Sequence, residues 1–300
     1  MSPTRTTTDH RLPWQVDAIS KRMRALATSM RRPCGRGAGG GSAETPARPA
    51  SATTVAWMLA AFALSALHGP VEAAPAVVRF EGEAHAAGDG RLLYREMHLR
   101  GGERHVVLYR CADGQAFARK QLWPEAAPSS PRVLFEDARS GRRQGVRDVA
   151  GGREVFVRER AGAAERTAML ARPWPVIDAG FDAWLREAWP EPGERIETAF
   201  LAPGRLSALP FRAQATDTGD IRRFRLSLAA WYGGLAPRIE VDYDRAGRQL
   251  SRYRGPSDVP DARGRAPDVE IRFPVSARGP ATAADIDAAL QVPLVAQCVE

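Results

Sequence analysis

Lysine is almost absent from this chain. Lys21 and Lys120 are its two lysines, against a combined 43 lysines and arginines. That skew reads as codon composition and carries no functional weight. Histidine numbers five, and His85, His98 and His105 are the ones past the leader. No short ligand spacing joins them, so no metal site is assigned. No phosphate loop or dinucleotide fingerprint occurs, and no cofactor is implied. Cysteine numbers three. Cys34 falls in the leader, and no histidine follows His105 to serve a catalytic thiol as a base. An electrostatic footprint for DNA is missing as well. The formal charge is +8, but residues 1–50 hold nine basic residues against three acidic ones, which leaves +2 for the remainder. Nucleic acid is therefore excluded as an expected partner.

What is present begins with an apolar run, Val55–Leu67, in which Ser65 is the one polar side chain. Thirteen residues span about 20 Å as a helix, short of the roughly 20 residues that a bilayer core needs. Val71-Glu72-Ala73-Ala74-Pro75-Ala76 follows, an Ala-x-Ala-like cleavage pattern. Residues 51–76 therefore read as a signal peptide, or as a membrane anchor if uncleaved, with residues 55–67 as the membrane contact in that case. The n-region is long, and a start at Met23 or Met30 would shorten it. Residues 1–50 read as a disordered basic leader held inside by its charge. Residues 77–300 are expected as one exported β-rich domain in the periplasm or secreted. There Cys111 and Cys298 are expected to pair, the alternative being two free thiols. A loop that long contributes about 4–5 kcal/mol in the chain-entropy model.

From Val77 the pattern has period 2. Val78, Phe80, Gly82 and Ala84 oppose Arg79, Glu81, Glu83 and His85, as in a half-buried strand. Turn signals at Gly88-Asp89-Gly90, Gly101-Gly102, Asp113-Gly114, Gly141-Arg142 and Gly151-Gly152 cut residues 77–159 into about seven short strands. The period then changes. Ile177, Phe181, Trp184, Leu185 and Ala188 are spaced as on a helix over Ile177 to Trp189, with Asp178 as N-cap and Pro190 as the stop. Burying Phe181, Trp184 and Leu185 contributes roughly 2 kcal/mol each. Strands resume at Ile196, Leu209, Phe224, Arg238, Leu250 and Val269. Thr282-Ala283-Ala284-Asp285 looks like a capping box opening a short C-terminal helix. The fold class is mainly β (α+β): an antiparallel curved sheet or half-barrel, with one central helix on its concave side and a short C-terminal helix.

Candidate sites are few. In Glu240-Val-Asp242-Tyr-Asp244 and Leu250-Ser-Arg252-Tyr-Arg254, pairing Asp244 with Leu250 sets Asp242 opposite Arg252 and Glu240 opposite Arg254. Carboxylates about 7 Å apart suit acid–base work on a glycoside, but a cross-strand salt ladder is favoured. His85 and His98 could meet across neighbouring strands, with Glu83 or Glu96 joining them; surface or strand-filling roles are favoured. Ser257, after Gly255-Pro256, lacks a nucleophile elbow and reads as a turn. No catalytic residue is assigned. Aromatic residues at a sheet mouth can line an apolar cavity. Phe181, Trp184, Leu185 and Trp231 are the ligand-binding candidates, with core filling as the commoner role of such residues.

This order of elements, together with the hairpin Val241-Asp-Tyr-Asp-Arg-Ala-Gly-Arg-Gln-Leu250, resembles the LolA-like periplasmic lipoprotein-carrier half-barrels. The likeness covers Val77 to Phe273 in order of elements only, and no carrier residue transfers. It implies an apolar concavity for acyl chains, covered by the helix near Phe181 to Trp189. The leading expectation is a non-catalytic envelope protein binding a lipid or other apolar ligand. The alternatives are an envelope hydrolase of glycan or ester using Asp242 and Asp244, or a structural module offering sheet edges.

Overall fold

The structure is a computed structural model that describes residues 77–299, apart from 125–126, 230–237 and 262–263. The basic leader, the apolar run 55–67 and Trp231 lie outside the described residues.

The first arm is a meander of eight strands: β1 (Val77–Ala86), β2 (Leu92–Arg100), β3 (His105–Arg110), β4 (Ala116–Trp123), β5 (Arg132–Asp137), β6 (Arg142–Val149), β7 (Gly152–Arg158) and β8 (Arg166–Leu170). A two-residue strand β9 (Val176–Ile177) leads into helix α1 (Gly180–Ala188). The second arm follows as β10 (Arg195–Leu201), β11 (Leu209–Thr218), β12 (Ile221–Leu228), β13 (Ile239–Asp244), β14 (Leu250–Pro256) and β15 (Asp268–Arg272). A short β16 (Arg278–Ala281) and helix α2 (Ala283–Gln291) complete the described elements. All sixteen strands form one sheet, ordered 8-7-6-5-4-3-2-1-15-14-13-12-11-10-9, with β16 also pairing β1. Pairing is antiparallel except between β9 and β10, which α1 connects as a crossover. The arms join where β1 meets β15, from Glu83 opposite Arg272 to Ala86 opposite Val269. The mainly β class and the curved antiparallel sheet are thus as the periodicity indicates.

The sheet curls until its β9 end meets the loop before β5. Ile177 N donates to Ser129 O at 2.9 Å, and Ser130 Oγ donates to Pro175 O at 2.6 Å. This seam needs a glycine. A Cβ on Gly180 would sit 2.3 Å from Ser129 O, so any side chain there would push the start of α1 away from the loop before β5.

Packing follows strand parity. On β3, Val107 and Tyr109 face inward with Phe80, Phe117 and Phe135, while Val106 and Leu108 face outward. The outward face is covered by Ile286 and Ala289 of α2, so β3 is buried on both sides. The capping box exists: Thr282 accepts from Asp285 N, and Asp285 accepts from Thr282 N. Arg119 caps the other end, donating to Leu290 O at 2.6 Å. Beyond α2, Val295 N bonds Ala116 O at 2.8 Å, and Cys298 forms a disulfide with Cys111.

Two local expectations are corrected. The helix is shorter than Ile177 to Trp189, because Val176 and Ile177 pair as strand with Phe200 and Leu201. Its N-cap position is Ala179, and no side chain caps it. Asp178 adopts φ 50° and turns its carboxylate elsewhere. In the β13–β14 hairpin, Glu240–Arg254 and Asp242–Arg252 are opposite as expected, but a bulge then puts Tyr243, not Asp244, opposite Leu250. Asp244 instead accepts from Gly247 N and Gln249 N within the turn.

Candidate functional site

The curled sheet lines a partly open cavity of about 640 Å³. Its lining comes from both arms and from α1. Phe80 and Val107 come from the first arm, Phe211, Leu226, Ile239 and Phe273 from the second. Period 2 explains this: a strand that sends its apolar residues to one face sends all of them into the interior once the sheet closes. The volume falls within the range typical of small-molecule sites.

Polar residues on the same inward parity form three buried groups. On β2 and β3, Glu96 Oε2 lies 3.0 Å from His98 Nε2, and His98 Nδ1 lies 3.0 Å from His105 Nε2. The Phe80 ring stacks on His98 at 4.3 Å, with the planes 12° apart. Burial pushes both imidazoles below the ordinary histidine range. For His98 it outweighs Glu96, and for His105 the Arg100 charge adds to it. On β4, Lys120 is 2% exposed; its Nζ lies 2.7 Å from Asp178 Oδ1 and also contacts Asp258. Burial opposes its charge, but the two carboxylates together outweigh burial and hold the ammonium well above the ordinary lysine value. The third group anchors α1: Asp182 accepts from Arg100 at 2.9 Å and from the Tyr243 hydroxyl at 2.9 Å. Nearby, the Tyr94 hydroxyl and Ser257 Oγ are 2.7 Å apart. Ser257 Oγ also accepts from Val259 N at 2.9 Å, so it is a turn-forming serine rather than a free nucleophile.

The expected ligand-binding residues divide. Phe181 lines the cavity, 6.5 Å from the Tyr253 ring. Leu185 is fully buried with Ala213, Phe224, Val241 and Tyr243, and Trp184 packs against that cluster. This is the inward face of the second arm, where α1 fills one end of the interior and leaves the rest open. His85 and His98 do not meet. His85 bonds Gly90 O at 2.9 Å in a turn and approaches Glu83, while His98 meets His105. Among the described residues no group of three His, Cys, Asp or Glu is arranged to hold a metal. Asp242 lies on the opposite face of β13, between Arg223 at 2.7 Å and Arg252 at 2.9 Å. Burial opposes its ionisation, and the two guanidiniums outweigh burial and hold it below the usual carboxylate range. With Asp244 tied into its turn, neither carboxylate faces the cavity.

Sequence reasoning passed over Lys120, Asp178 and Asp258 as a group. One signal was available. On β4, Ala118, Lys120 and Leu122 share a parity, which puts one of two lysines on a core-facing position.

No family model matches the chain. The comparison with curated proteins gives no match. Among solved structures, the chain is similar to a beta-barrel-like protein of a domain of unknown function, DUF1849, from Brucella abortus. The match covers 70% of this chain and 98% of that chain at 9% identity, with a TM-score of 0.42.

Proposed function

We propose that this chain is a non-catalytic periplasmic binding protein that takes a lipid or other long apolar chain into the barrel interior. One observation carries this reading. Apolar side chains from both arms face an interior of about 640 Å³ that neither α1 nor the core fills. A close-packed interior normally leaves few voids larger than a water molecule. An unfilled apolar space of this size forgoes dispersion and burial energy that a guest would supply, at about 0.8 kcal/mol per buried methylene. The apolar run 55–67 and the cleavage-like Ala73–Ala76 support export of the domain, and the disulfide suits an oxidising compartment. The element order read from the sequence resembles that of the LolA-like carriers, and on that resemblance α1, whose Phe181 lines the cavity, would be its cover.

The test is fluorescence titration with 1-N-phenylnaphthylamine. The expected result is saturable binding, displacement by 1-dodecanol, and loss of binding in Leu228→Trp, which fills the cavity from β12. Absence of dye binding to the folded protein, or binding that Leu228→Trp leaves intact, would remove the proposal.

A further inference from the structure

Among the described residues the cavity wall carries a histidine nitrogen, His105 Nδ1, that makes no hydrogen bond, and it bears on the chemistry of the ligand's polar end. This inference rests on the cavity being the binding site. A carboxylate accepts hydrogen bonds and does not donate them. Glu96 Oε2, 3.0 Å from His98 Nε2, therefore requires the proton on that nitrogen. A neutral His98 then has its lone pair on Nδ1, which faces His105 Nε2 at 3.0 Å. His105 must donate from Nε2, so its own lone pair is left on Nδ1. His105 is 7% exposed and lines the cavity, and among the described residues its Nδ1 has no hydrogen-bond partner.

We propose that the Glu96–His98–His105 chain presents His105 Nδ1 as a fixed hydrogen-bond acceptor for a neutral, donor-bearing end of the ligand, such as the hydroxyl of a long-chain alcohol. Burial keeps both rings neutral, which preserves this polarity. Three cations of the cavity lining are already held by carboxylates: Arg100 by Asp182, Lys120 by Asp178 and Asp258, and Arg142 by Glu159; the fourth, Arg205, is exposed on the loop after β10. A carboxylate head would meet a lone pair at His105, while an ether would leave that nitrogen unsatisfied.

The experiment measures displacement of 1-N-phenylnaphthylamine by three probes with twelve-carbon chains: 1-dodecanol, 1-methoxydodecane and laurate. One net hydrogen bond corresponds to a preference of about two- to tenfold for the alcohol over the ether. In His105→Phe that preference should fall to about onefold while ether binding persists. Glu96→Gln leaves the cavity wall in place and lets the amide donate, so the relay can reverse; the alcohol preference should shrink there too. Equal binding of alcohol and ether, tighter binding of laurate, or an undiminished preference in Glu96→Gln would overturn the inference and leave the apolar site standing. Failure of all three probes would instead remove the binding reading itself.

Discussion

Replacing Lys120 with methionine tests whether the buried ion group is what holds the barrel shut. Lys120 Nζ lies 2.7 Å from Asp178 Oδ1, with side chains 2% and 5% exposed. At that distance and an effective dielectric of about 20, the attraction is about 6 kcal/mol. Taking the two ions out of water costs several kcal/mol each, so the intact pair nets little. Breaking it is different: Lys120→Met leaves Asp178 buried without its cation, at a cost of about 3–5 kcal/mol. Asp258, whose side chain is 53% exposed, can turn to water. Asp178→Asn keeps an acceptor for Ala179 N. The Lys120→Met/Asp178→Asn pair should therefore recover about 2 kcal/mol or more of the loss. The assay is a double-mutant cycle from urea unfolding at pH 7. A Lys120→Met cost under about 0.5 kcal/mol, or costs that add to within that amount, would refute the reasoning. The sign with pH also follows. A lysine raised above its unfolded value contributes stability in full below the ordinary lysine range and loses it as pH rises through the folded value. The parent should thus lose this contribution only in strong alkali.

Three further outcomes are expected. Reduction of Cys111–Cys298, which spans 187 residues, should lower stability by about 5 kcal/mol in the loop-entropy model; an unchanged unfolding midpoint in dithiothreitol would count against it. Gly180→Ala should cost about 1–3 kcal/mol by overpacking the seam at Ser129, read as a lower melting temperature, and unchanged melting would show that the seam has room. His98 and His105, held below the ordinary histidine range, contribute stability that is full above about pH 6.5 and lost as pH falls through their folded values. His98→Asn/His105→Asn should therefore flatten the stability–pH curve between pH 6.5 and 4, and an equally steep curve would contradict this.

Alternation made most of the fold legible. The strands of both arms, the Asp242–Arg252 register and the Thr282 capping box all follow from local signals of a few residues. The strands that escaped notice are β8, β9 and β16. β8 is an exposed edge with Met169 at 55%, so it carries no clean buried face. β9 has two residues, and β16 contains Pro280. Asp178 looked like a cap because Asp before an apolar helix usually is one; its partner Lys120 lies 58 residues away. The buried polar groups share that difficulty. No local signal marks Glu96, His98 and Arg100 as facing a cavity. They became interior once the sheet curled and sealed near Ser129, a closure that no single strand's pattern encodes.

The most direct measurement is native mass spectrometry of the full chain, expressed with its own leader and recovered from a periplasmic fraction. The expected spectrum shows the disulfide-bonded domain carrying one neutral long-chain amphiphile, released by moderate collisional activation and diminished in Leu228→Trp. A bare mass from a folded periplasmic sample, or absence of the protein from that fraction, would contradict the account.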